Sequence, residues 1–245
     1  MPRRKPIPQR FSQSEKESLC QCRDHIQALT GKLSSRVKGY DENLPWAALT
    51  HYAVVWREAL LHRIVDIGEA AHGAFLQRRL VPGNILTRAL FETLALQFHY
   101  WQMAKKAIEE KDVALLREIV QRGVFGRKDK PGLPWDTEFP IPFQVLTVLD
   151  KMDKTFKGTR EEYDHLCEYA HPNLKGTLGA YVQPSLPPSV DAKLGRGAVP
   201  YELATWGLSS LAIGLRLSIE IHGWITERES EIAALLGSDP DVGVQ

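Results

Sequence analysis

Apolar residues in this chain recur at three- and four-residue intervals over long runs, and a two-residue alternation is never sustained. That spacing turns one stripe of a helix toward a core. The 245 residues are therefore expected to be all-α, a single helical bundle of about six or seven helices with two long Pro/Gly-rich loops. A first helix is expected from about Ser12 to Val37, closed by Gly39 and DENLP. A second runs from about Trp46 to Leu80 and stops at VPGN, and a third runs from near Ile85 to about Glu110. A shorter polar helix covers about Val113 to Arg122, before the loop GRKDKPGLPWDTEFPIP. A fifth follows from about Phe143 to Phe156.

The sixth helix opens at Thr159, which forms a capping-box pattern with Glu162 after Gly158. It ends at His171, because Pro172 pushes the residue before it out of helical geometry. Residues 173–199 are too rich in proline and glycine for a long helix, and compact domains keep loops of that length for function or leave them disordered. They read as a lid. A last long helix begins near Pro200, a residue suited to a first turn, and runs to about Leu236. The domain is expected to span 12–236, between a basic disordered tail (1–11) and a frayed end (237–245).

A formal net charge of +1 gives no global argument for a nucleic-acid or membrane partner, so any basic patch must be local. The opening MPRRKPIPQR lacks the apolar run of a secretory signal. The most apolar stretch, from Leu208, carries Arg216, Glu220 and His222, which are expensive in a bilayer. A cytoplasmic protein with no membrane contact is expected. Of three cysteines, Cys20 and Cys22 sit two apart on a helix and point to nearly opposite sides, so they chelate poorly and read as free thiols. The aromatic residues Trp46, Trp56, Phe75, Trp101, Trp206 and Trp224 fall on apolar faces and read as core. The chain carries no phosphate-binding P-loop, no G-x-G-x-x-G and no G-x-S-x-G.

Two stretches concentrate chemistry. In NILTRALFETLALQFHYW, apolar on most sides, Arg88 and Glu92 lie one turn apart with His99 on the same stripe. A buried arginine needs a partner. The pair can satisfy itself within the bundle, or the glutamate can hold the planar guanidinium toward an anion. In GTREEYDHLCEYAHPN, Tyr163, Cys167 and His171 form one stripe that ends at the helix C-terminus, where the dipole favours a cation. His171 there is either a simple cap or a functional group.

Together, RALFE and the downstream Y-x-x-L-C-x-x-x-H-P resemble an uncharacterised family of all-helical bacterial domains. Its pattern is an arginine-serine-leucine-x-glutamate helix followed by tyrosine, leucine-serine and histidine-proline. Arg88, Leu90, Glu92, Tyr163, Leu166, His171 and Pro172 match it, while Ala89 and Cys167 stand where serines are expected. That family is similar to the HEPN domains, many of them metal-independent ribonucleases of toxin and phage-defence systems, others inactive binding or scaffold modules. The HEPN hallmark, arginine followed after four to six residues by histidine, occurs at Arg160 to His165, Arg57 to His62 and Arg216 to His222.

The resemblance implies an RNA- or protein-binding module of a bacterial defence or stress system. Its alternative is an endoribonuclease without cofactor, in which His171 moves protons, Arg88 stabilises phosphate charge, Glu92 orients Arg88, and Tyr163 adds a hydrogen bond. Arg127, Lys128, Lys130, Arg160 and His165 would supply binding contacts, and Trp135 a stacking face. A homodimer is a further possible assembly. The rival reading is a di-metal carboxylate bundle built on Glu69-x-x-His72, Glu168-x-x-His171 and Glu92, with Glu220 or Glu17 completing the set. Against it, His51, Glu58, His62 and Glu69 share a polar stripe that reads as a solvated face.

Overall fold

Residues 80–110 form the axis of the fold because apolar side chains occupy most of their circumference. Leu90, Phe91, Leu94, Ala95 and Phe98 are all buried, so the helix can be covered on several sides at once. The computed structural model describes residues 11–39, 45–127, 140–184, 192–195 and 201–237. In chain order these form α1 (Gln13–Thr30), α2 (Pro45–Leu76), α3 (Leu80–Glu110), α4 (Val113–Phe125), α5 (Val145–Thr155) and α6 (Thr159–Ala170). A π-helical turn (Leu174–Leu178), α7 (Gly179–Tyr181), β1 (Val182–Pro184), β2 (Ala192–Leu194), α8 (Tyr201–Glu227) and α9 (Glu229–Gly237) follow. The protein is an all-α bundle. α3 packs against α2, α8, α6, α5 and α4, while α1 closes over α8 and α2. β1 and β2 pair antiparallel, Val182 opposite Leu194, as a small hairpin. Among the described residues no helix is long and apolar enough to cross a membrane.

Glycine sets two of the close approaches. A Cβ at Gly123 of α4 would stand 2.3 Å from the Trp56 ring of α2. One at Gly207 of α8 would stand 2.3 Å from Asn84 Oδ1 of α3. No other residue lets these helices come so near without displacement.

Several boundaries depart from expectation. α1 ends at Thr30, and residues 31–39 run on outside it. The second break falls at Gln77–Arg79, where Arg78 adopts a left-handed φ of 58°, so that VPG belongs to the first turns of α3. The capping box lies on α1, not α6: Ser12 Oγ accepts from the Glu15 amide, and Glu15 accepts from the Ser12 amide at 2.7 Å. On α6 the cap is Gly158 at φ 91°, and Asp153 of α5 accepts from the Gly158 and Arg160 amides. Thr159 instead donates to the Phe156 carbonyl. The last expected helix breaks into α8 and α9 at Arg228. The segment after Asn173 contains the π turn and hairpin, and the described helices number nine, α7 being only three residues.

Three other expectations change. Phe11, assigned to the tail, is buried beneath the Arg78 guanidinium. Residues 1–10 and 238–245 lie outside the described residues. Of the α2 stripe, His62 and Glu69 are exposed as expected, whereas Glu58 is buried and His51 half-buried. The residues after α1 lie on it: the Lys38 carbonyl meets His51, the Ser34 amide donates to Glu58, and the Ser34 carbonyl meets His62. Trp206 is 40% exposed, not core. The cysteines behave as expected, Cys22 being buried with its thiol donating to the Leu208 carbonyl, and Cys20 half-buried.

Candidate functional site

α3 and α6 run antiparallel, so the residue one turn further along α3 meets the residue one turn earlier on α6. Arg88 therefore faces Cys167 and Tyr163, and Glu92 faces Tyr163. Arg88 Nε donates to Cys167 Sγ at 3.2 Å. Arg88 Nη2 donates to the Tyr163 hydroxyl and lies against Glu92 Oε1, each at 3.0 Å. The Tyr163 hydroxyl in turn donates to Glu92 Oε1 at 2.9 Å. The guanidinium carbon also lies 5.3 Å from the Tyr163 ring centre, within cation–π range.

The Tyr163 side chain is buried and forms the floor, while the Arg88 and Glu92 side chains are 34% and 32% exposed. Burial opposes the Arg88 charge, but the Tyr163 and Cys167 hydrogen bonds and the Glu92 carboxylate outweigh it and hold its pKa above the ordinary value. Burial, then the hydrogen bond to Glu92, pushes the Tyr163 phenol up to about 12, with Arg88 pulling the other way. The cluster therefore keeps Arg88 charged and Tyr163 neutral. Arg88 Nη1 has no hydrogen bond among the described residues, so one edge of the fork is open to an acceptor.

His171 stands one turn beyond Cys167 and caps α6 through its amide, which donates to the Cys167 carbonyl. Its ring is exposed and makes no hydrogen bond or ion pair among the described residues. Of the four residues expected to share one centre, Arg88, Glu92 and Tyr163 come together with Cys167. His171 is not bonded to them. Cys167 was legible as a member of the Tyr163–Cys167–His171 stripe, and its sulfur accepts from Arg88 Nε. His99, on the same stripe of α3 in sequence, lies buried farther along the helix against Phe143 at 4.8 Å.

In none of the three arginine–histidine spacings do the two side chains bond to each other. Arg160 pairs with Asp164 and Asp150, whereas His165 stacks on Trp206 with ring centres 4.0 Å apart. Arg57 pairs with Glu58 and Glu229, and Arg216 with Glu220. The His165 contact belongs to a second α6–α8 clasp that sequence reading missed. There Glu162 accepts from Trp206 Nε1 at 2.7 Å and Ser210 Oγ at 2.6 Å. Residues 44 and 48 positions apart carry no local signal of such a contact. Arg127 is half-buried with its amide donating to Pro140. Lys128, Lys130 and Trp135 lie outside the described residues.

The residues of the di-metal reading are separated. Glu69 is exposed, His72 Nε2 meets the Leu19 carbonyl, Glu92 is held in the arginine cluster, and Glu168 accepts from Asn173. Among the described residues no three histidine, cysteine, aspartate or glutamate side chains gather to hold a metal ion. The chain matches no protein-family model, no curated protein and no solved structure.

Proposed function

We propose that this chain is a HEPN-like helical module that binds RNA at its phosphates without cleaving it, in a bacterial defence or stress system. The observation that carries the reading is the open Nη1 edge of Arg88, on a guanidinium already oriented by Tyr163, Cys167 and Glu92. A pre-oriented, partly exposed guanidinium with Nη1 free suits a phosphate oxygen, which accepts one charge-assisted hydrogen bond. Internal attack by a 2′-hydroxyl would also need a group that accepts and returns a proton near neutral pH. Tyr163, held near 12, is a poor base precursor, Glu92 is engaged by both Arg88 and Tyr163, and the His171 ring is not bonded to the cluster. Binding is therefore favoured over cleavage.

The test is labelled RNA in chelator with the purified protein and its Arg88→Ala and His171→Ala variants, the fold of each followed by thermal melting. Intact RNA is expected to be retained, less tightly by Arg88→Ala and equally by His171→Ala, with affinity falling as salt rises. Cleavage in chelator that vanishes in His171→Ala would establish the ribonuclease instead. Loss of neither affinity nor integrity in Arg88→Ala would remove the proposed site.

A further inference from the structure

A second anion site is suggested by a groove between α2, α9 and the segment after α1, none of which supplies a partner to Arg88. Its volume is about 430 Å³, within the range of roughly 300–1,000 Å³ common for small-molecule sites. Arg57 lines it, with a side chain only 9% exposed. Two carboxylates hold this guanidinium: Nε donates to Glu58 at 2.8 Å and Nη1 to Glu229. Nη2 has no partner among the described residues. That nitrogen is not sealed from solvent, so it can donate to an acceptor that enters the groove.

Two further cations line the same groove, Arg36 and Lys38. Both are exposed, and neither side chain has a hydrogen bond or ion pair among the described residues. Arg57 with Glu58 and Glu229 carries a net charge of −1, so Arg36 and Lys38 leave the groove and its inner wall with a net charge of +1. Thr50 adds a hydroxyl-bearing side chain, and Val37 and Val54 give apolar wall. The volume exceeds what a lone oxyanion fills. We infer that this groove binds a small organic phosphate, its phosphoryl oxygens bridging Arg57 at the inner wall to Arg36 and Lys38, and its organic part against Val37 and Val54.

Calorimetric titration of the full chain with inorganic pyrophosphate tests the phosphate half of the site directly. Saturable binding is expected, weakened about tenfold or more when Arg36→Ala and Lys38→Ala are combined, because each removes a charge-assisted contact. These two side chains are exposed and unpaired, so the double variant is expected to melt like the parent. Arg57→Lys, which keeps the charge and removes the fork, should also weaken binding. Lys193→Ala, which removes an exposed cation on β2 outside the groove, should bind pyrophosphate as the parent does. Absence of saturable binding, an unchanged affinity in the double variant, or an equal loss in Lys193→Ala would each overturn the inference.

Discussion

The Tyr163 hydroxyl on α6 donates to the Glu92 carboxylate on α3 at 2.9 Å, while accepting from Arg88 at 3.0 Å. One phenol thus joins both members of an i,i+4 ion pair, and it ties the two helices at the point where the guanidinium reaches solvent. Hydrogen bonds that share a hydroxyl as donor and acceptor polarise one another. Tyr163 is accordingly both a tether between helices and the group that sets the orientation of Arg88.

Tyr163→Phe should remove both hydrogen bonds and leave the ring packing in place. A loss of about 1–2 kcal/mol is expected, read by urea unfolding. The Arg88→Ala and Tyr163→Phe changes should be non-additive, since they delete members of one network. Strict additivity in that double-mutant cycle would mean that the phenol and the guanidinium do not cooperate.

Stability should fall as the solution is acidified from neutrality, with His99 a principal contributor. Burial, followed by the nearby charges of Lys151 and Arg122, pushes its pKa from 6.5 down to about 4. Between those values the unfolded chain binds the proton and the folded chain does not, so stability is full above about pH 7 and is lost toward pH 4. The expected loss from this residue is roughly 2 kcal/mol. Urea unfolding at pH 7.5 and pH 5 measures it, and His99→Leu should flatten the dependence. His72, His165 and His222 are displaced the same way, burial leading in each, and leave a residual slope.

Gly123→Ala should destabilise the α2–α4 contact. Its Cβ would meet three Trp56 ring carbons at 2.3–2.5 Å, and a buried indole cannot shift without disturbing Tyr100 and Phe143, which lie against it. A cost of about 1–3 kcal/mol is expected. Thermal melting with Gly73→Ala as control checks this, because a Cβ at Gly73 meets nothing within 4 Å. Equal melting temperatures for the two variants would contradict the packing described.

Helical periodicity was enough to determine the fold class and the approximate extents of α2 to α6, because the spacing of apolar residues at Leu90, Leu94 and Phe98 is itself the geometry of a buried face. The Arg88–Glu92 pair was equally legible, since one helical turn separates them and a guanidinium among apolar neighbours needs a carboxylate. Only the tertiary structure decided which residues meet them. The order of residues along α6 says that Tyr163, Cys167 and His171 share a stripe, but the antiparallel docking on α3 brings the first two to Arg88 and leaves the His171 ring unbonded to it. The same holds for Glu162, which would cap its own helix on local grounds yet reaches Trp206 and Ser210 of α8. It holds too for Glu58, buried within the α2 stripe, and for Arg57, whose second carboxylate arrives from 172 residues away. Local spacing sets which side chains a helix presents together. Which partner accepts them depends on helix packing, a long-range choice made by the sum of many small apolar contacts rather than by any short motif.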